Sequence, residues 1–135
     1  MYITNIIEGK PYYKTAQIKD LKELLHYCRS RYGDKVAFRY RNEPHSEVES
    51  KTYTQFVRDV EYFGSSLLNM GMKGCRVAII GENRYEWVVS YLSTVNGIGV
   101  AVPLDRMLPP NEIESMLERS GAEVLVYSES FQDVA

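Results

Sequence analysis

Arg76-Val77-Ala78-Ile79-Ile80-Gly81-Glu82-Asn83-Arg84-Tyr85-Glu86-Trp87 is the stretch on which the fold turns. Its first half, Val77 to Ile80, is a short unbroken apolar run, the pattern of a strand covered on both faces, as parallel strands are. Its second half opens a helix. Asn83 and Glu86 stand at capping spacing, in which a side-chain oxygen accepts from an early helical N–H and the acid reaches back. Trp87, Val88, Tyr91, Leu92 and Val95 then form the expected buried side, and Gly97 the expected end.

Downstream the unit repeats. Val100-Ala101-Val102 reads as a second strand ended by Pro103, Pro109 and Pro110 open a helix through Ile113, Met116 and Leu117, and Val124-Leu125-Val126 reads as a third strand. Strands alternating with helices need crossovers over a sheet face. The fold class is therefore α/β, a Rossmann-like layered parallel sheet with flanking helices.

Upstream, Thr52 and Gln55 have capping-box spacing before the stripe Phe56, Val60, Phe63 and Leu67, with Gly64 in the stripe suggesting close packing and Gly71 closing the helix. An earlier amphipathic helix runs from Asp20 to Gly33 through Leu21, Leu24, Leu25, Cys28 and Tyr32. Between them Val36, Phe38 and Tyr40 alternate with Ala37, Arg39 and Arg41 as in a half-buried strand, and Asn42 to Ser50 is a polar turn or hairpin loop. Residues 1–17, with Gly9 and Pro11, read as an irregular arm, and residues 18–135 as one partial α/β domain.

The balance of 16 basic and 18 acidic residues provides no field for a phosphate backbone, so nucleic acid is not an expected partner. Cys28 and Cys75 have no companions at metal or redox spacing, which suits a reducing compartment and a cytoplasmic address. No apolar run approaches the ~20 residues of a membrane span, leaving at most peripheral membrane contact.

In a sheet of this kind ligands lie at the carboxyl ends of the strands. The residues following Ile80, Val102 and Val126 offer little recognisable chemistry. Gly81 is followed by no further glycines at dinucleotide spacing, and no Gly-Lys-Ser or Gly-Lys-Thr closes a phosphate loop. Asn83 reads as a cap, Asp105 and Arg106 as a turn in which the aspartate bonds local backbone, and Trp87, Tyr91 and Leu92 as core. His26 and Cys28 project roughly 200° apart on their helix, and His45 sits in a polar loop, so no metal site is expected. The tyrosines, Tyr12, Tyr13, Tyr53, Tyr62 and Tyr85 among them, suit half-buried positions packed against neighbours outside this chain.

The ordered series Lys51-Thr-Tyr-Thr-Gln-Phe56, Arg76 through Trp87, and Asn96-Gly-Ile-Gly-Val-Ala-Val-Pro-Leu-Asp105 resembles the opening third of the adenylate-forming enzymes. Gln55 stands where that family usually has an acid, keeping the capping role. Gly81 to Trp87 and Gly121 to Val126 are most similar to bacterial long-chain fatty-acyl-CoA ligases, and the resemblance runs from about Lys19 to Ser130. It implies a parent enzyme that joins a carboxylate to ATP, releasing pyrophosphate, and then passes the acyl group to coenzyme A, with Mg²⁺ accompanying the ATP. The family's phosphate loop, adenine and ribose contacts, magnesium-side glutamate and catalytic lysine all lie beyond Ala135. No catalytic, cofactor-binding or metal residue is therefore assigned here, and the chain alone is expected to be inactive.

The remainder of the parent ligase is then the expected partner, and the uncovered sheet edge and helix faces predict self-association. Two other readings stay open: an interaction module derived from the same fold, or a ligase for another carboxylic acid. A free-standing nucleotide-binding domain lacks the glycine chemistry it would need.

Overall fold

In the computed structural model, residues 9, 10 and 12–132 are described; part of the expected amino-terminal arm lies outside them, and residues 12–19 carry neither helix nor strand. The chain then runs α1 (Leu21–Tyr32), β1 (Val36–Tyr40), β2 (Glu49–Thr52), α2 (Tyr53–Asn69), β3 (Arg76–Ile80), α3 (Tyr85–Ser93), a π-helical turn (Thr94–Ile98), β4 (Val100–Pro103), α4 (Pro110–Ser120), β5 (Val124–Tyr127) and a short 3-10 turn (Glu129–Phe131).

The parallel sheet has the order β4-β3-β5, with β3 central. Val77, Ala78, Ile79 and Ile80 are at most 3% exposed, as a strand covered on both faces requires. From β3 the chain moves to one side to form β4, then passes back across β3 to form β5. Right-handed crossovers in opposite directions put α3 and α4 on opposite faces of the sheet. The layering expected of the α/β class is present.

The capping box of α2 is complete: Thr52 Oγ1 accepts from the Gln55 N–H at 3.2 Å, and Gln55 Oε1 accepts from the Thr52 N–H at 2.9 Å. At α1, Asp20 Oδ1 accepts from the Glu23 N–H at 2.7 Å, while Glu23 reaches one residue further back, to the Lys19 N–H. Pro110 occupies the first turn of α4, where its missing N–H costs nothing, and left-handed Gly121 ends that helix.

Three local expectations are corrected. Helix α3 begins behind Arg84 with no side-chain cap, so Asn83 is an exposed residue that caps nothing. Its fully buried face is Tyr85, Val89, Ser90 and Ser93, continuing to Thr94, whereas Trp87, Val88, Tyr91 and Leu92 are only half-buried. The serine and threonine hydroxyls tolerate burial because each donates to the carbonyl four residues earlier, and Ser93 also reaches Val60 O at 2.8 Å. Gly97 does not close α3 directly. The helix widens into the π-helical turn, in which Gly97 takes a φ of +138°.

Three further departures lie outside α3. The polar segment Glu49 to Thr52 is a strand, paired antiparallel with β1. A register irregularity between Val36 and Phe38 rotates Val36 outward to 44% exposure. Gly64 is buried, but a methyl group there would meet Ile98 and Ser93 at ordinary contact distances, so no unusually close approach depends on it.

Leu25, Phe56, Val57, Val60, Tyr85 and Val89 form the core between the helices, with Phe38 and Tyr40 packed on it from the hairpin. Tyr85 is 6% exposed and lies at the centre of this cluster, among neighbours within this chain. Tyr12, Tyr13 and Tyr62 are exposed.

Candidate functional site

A strand order in which the second connection returns past the first strand creates a topological switch point between β3 and β5. There the two following loops diverge and leave a crevice. A cleft of about 240 Å³ occupies this place, lined by Ile80, Gly81, Glu82, Trp87, Val126 and Ser128 among others. A shallower groove of about 400 Å³ beside Lys51, Asp59 and Tyr85 is walled by charges already paired with one another.

The cleft is shaped by a close approach of its two loops. A methyl group on Gly81 would stand 3.2 Å from Ser128 Oγ, tighter than ordinary packing, and the Ser128 N–H donates to Ile80 O at 3.2 Å. Ser128 Oγ lies 3.1 Å from Ser130 Oγ, which in turn donates to Glu82 Oε1. The hydroxyls of Ser128 and Ser130, and then Glu82's own backbone N–H, hold its carboxyl down to about 2, with Arg84 adding a smaller attraction. Glu82 Oε2 is buried and has no hydrogen-bond partner among the described residues.

Arg84, on the rim, is committed to Glu86 at 3.5 Å. Trp87 lines the cleft with its ring stacked on Tyr91, centroids 5.5 Å apart and planes within 7°. Glu82, Ser128 and Ser130 were not singled out from the sequence. Their only trace is a Gly-Glu after one apolar run and a Ser-x-Ser after another, 48 residues away.

The remaining residues weighed from sequence are not brought together. Asp105 serves its own turn, its Oδ1 accepting from the Met107 N–H at 2.9 Å as the sequence reading expects. His26 contacts Arg29 at 3.3 Å on α1, and Cys28 and Cys75 are free, half-buried thiols, both with the pKa raised by burial. Among the described residues no group of three His, Cys, Asp or Glu side chains could hold a metal ion, and no helix is long and apolar enough to cross a membrane.

ATP with Mg²⁺ does not suit the switch-point cleft. The ionised Glu82 would repel a triphosphate, Arg84 is already paired, and no glycine-rich run of N–H groups is present to cradle phosphate.

Comparison with known proteins agrees with this geometry. The family model described as AMP-binding enzyme matches residues 25–135. Long-chain-fatty-acid–CoA ligase 5 of Mus musculus is 33% identical over 97 residues, which are 70% of this chain and 14% of the mouse protein. The mitochondrial medium-chain acyl-CoA ligase ACSF2 of Bos taurus is 30% identical over 89 residues, 65% of this chain and again 14% of the relative. The chain thus spans about one seventh of the length of these relatives. Among solved structures, the N-terminal domain of FACL13 from Mycobacterium tuberculosis superposes with a TM-score of 0.73 at 24% identity, covering 87% of this chain and 29% of that one. The N-terminal subdomain of Klebsiella oxytoca NpsA gives 0.71 at 24% identity, covering 84% and 28%. With its strand order, its capped α2 and this match along most of its length, the chain belongs to the AMP-binding enzyme family of adenylate-forming proteins.

Proposed function

We propose that this chain is the amino-terminal sheet unit of an ATP-dependent long-chain fatty-acid–CoA ligase, working in the cytoplasm as part of a longer protein. The observation that carries this reading is the family match over residues 25–135, joined to relatives whose names are those of acyl-CoA ligases. In the proposed reaction a carboxylate oxygen attacks the α-phosphorus of ATP and pyrophosphate leaves. The thiol of coenzyme A then attacks the acyl carbon and AMP leaves. The first step turns a poor leaving group into a good one, and positioning and charge stabilisation supply most of the acceleration.

No residue of this chain is given a part in either step. Its role is structural: β3 and its crossovers provide a preformed layer against which the remainder of the ligase packs. Mg²⁺, ATP and coenzyme A belong to that remainder.

The test compares residues 1–135 with the protein encoded by the whole reading frame, following pyrophosphate and acyl-CoA with fatty acids of medium and long chain. Product from the long protein alone, greatest with long chains, is expected. Turnover by residues 1–135 would overturn their assignment as inactive. A long protein that acts only on aromatic acids would favour the ligase for another carboxylate. A reading frame that stops after Ala135 would favour an interaction module.

A further inference from the structure

Helices α1 and α2 lie antiparallel, and the contacts between them set which ends meet. The Thr54 N–H donates to Gly33 O where α1 ends, Arg29 pairs with Glu61 at 3.0 Å, and Lys22 and Leu68 line one groove where α1 begins. The start of α1 therefore stands beside the end of α2. Four apolar side chains are exposed at this pole of the molecule: Ile18, Leu21, Leu68 and Met70, the last at 66%. Lys19, Lys22 and Lys73 are their neighbours in the chain, and the segment leading into α1 adds Lys10, Tyr12, Tyr13 and Lys14, all of them exposed.

The charge of the pole is one-sided. Its five lysines are in no ion pair among the described residues. Against them stand two acids, Asp20 and Glu23, and both are turned to the backbone of the helix start. Asp20 Oδ1 accepts from the Glu23 N–H at 2.7 Å, and Glu23 Oε2 accepts from the Lys19 N–H at 2.8 Å. From Leu67 to Cys75 there is no acid at all. The whole chain has a net charge of −2, so this is a basic pole on an otherwise acidic chain.

We infer that this pole docks on the surface of a bilayer containing anionic lipid. The lysines meet the headgroups, while Leu21, Leu68 and Met70 enter the boundary between headgroups and acyl chains. Tyr12 and Tyr13 suit the same depth, where an amphipathic ring has one end apolar and the other wet. A protein partner fits less well, because lysine is depleted at protein interfaces and here surrounds every apolar side chain. Contact is from one side only, since no helix among the described residues is long and apolar enough to cross.

The experiment is flotation of residues 1–135, and of the longer protein, through a density gradient with vesicles. One set is phosphatidylcholine alone, and the other is equimolar phosphatidylcholine and phosphatidylglycerol. Self-associated protein sinks, so only vesicle-bound protein is scored. Flotation is expected with the anionic vesicles, and added salt should weaken it. Each lysine near such a surface is worth about fivefold in binding, so Lys19→Gln with Lys22→Gln should weaken it about 25-fold. Arg106→Gln with Arg119→Gln removes the same charge beside α4, on the other face of the sheet, and should leave binding within about threefold of wild type, the residual effect of net charge. Met70→Ser should weaken binding without altering its salt dependence. Circular dichroism of each variant separates a lost surface from a lost fold. Equal flotation with both vesicle types, or none, would overturn the inference in the wild-type chain alone. Flotation of residues 1–135 but not of the longer protein would overturn it too, by showing that the remainder of that protein covers the pole. The readout is binding and not turnover, so its outcome is independent of whether the longer protein is a ligase.

Discussion

The hydroxyl of Tyr85 donates to Asp59 Oδ2 at 2.8 Å, and the same oxygen receives Lys51 Nζ at 3.3 Å, so α3, α2 and β2 meet on one carboxylate. The Tyr85 ring is stacked on Tyr40 at 5.3 Å with planes 2° apart, and Lys51 Nζ lies 5.4 Å from its centre. Tyr85→Phe keeps the ring and removes the donor. A loss of about 1–2 kcal/mol in urea denaturation is expected, against about 3–5 kcal/mol for Tyr85→Ala.

The same hydroxyl should be visible in the alkaline limb of stability. Burial, and then Asp59, push its pKa far above the ordinary tyrosine value, so folding favours the neutral phenol. Its contribution is complete below about pH 10, where an unfolded tyrosine titrates, and declines as pH rises beyond that. Melting curves of wild type and Tyr85→Phe should converge as the pH is raised above that point.

Glu82 behaves in the opposite sense. Its folded pKa of about 2 lies below the unfolded glutamate value of about 4.3. Its contribution is present above pH ~4.3 and lost as pH falls toward 2. Glu82→Gln should flatten this part of the Tm profile, and Ser130→Ala should flatten it in part.

Caps distinguish two helices that look alike in sequence. Thr52→Ala breaks a complete capping box and should cost about 1 kcal/mol. Asn83→Ala should change stability by less than about 0.5 kcal/mol, because α3 uses no side-chain cap. Equal losses in thermal denaturation would restore Asn83 as a cap.

Gly99 stands where β3 and β4 start side by side. A methyl group there would lie 1.9 Å from the carbonyl oxygen of Cys75, a backbone atom that cannot swing away. Gly99→Ala should therefore destabilise by at least about 2 kcal/mol, measured by chemical denaturation, with loss of the Val100 N–H to Cys75 O hydrogen bond.

Both β4 and β5 are sheet edges among the described residues, and the Val-Leu-Val-Tyr of β5 carries neither charge nor proline to discourage pairing. Self-association of residues 1–135 is expected, seen as a light-scattering mass that rises with concentration. Tyr127→Lys, at the exposed end of β5, should reduce it. A concentration-independent monomer would count against the expectation.

The parts of the fold legible in the sequence were those whose signal is local. Val77 to Ile80 announced a strand buried on both faces, and Thr52 with Gln55 announced a helix start, because each pattern is completed within a few residues. Glu49 to Thr52 was hidden because its pairing with Phe38 to Tyr40 is made through the backbone, to which polar side chains are indifferent. The buried face of α3 was misplaced for a related reason: Ser90, Ser93 and Thr94 read as polar, yet their hydroxyls are satisfied inside their own helix. At the cleft, the position after Ile80 and Val126 was legible from the strand pattern. The pairing of Glu82 with Ser130 was not, since only the sheet brings those loops together.

The β1-β2 hairpin shares no strand pairing with the parallel sheet; the two are separate sheets. Above its base, where the Tyr53 N–H donates to Lys35 O and Thr52 caps α2, its attachment is made by side chains: Phe38 and Tyr40 on Tyr85, Phe38 on Phe56 at 4.8 Å, and Lys51 on Asp59. Side-chain contacts of this kind can part without disturbing the amide ladder of β3. The hairpin is thus placed to open as a unit of its own, exchanging its amide protons sooner than the sheet that carries the cleft, with Tyr85 as the latch between the two.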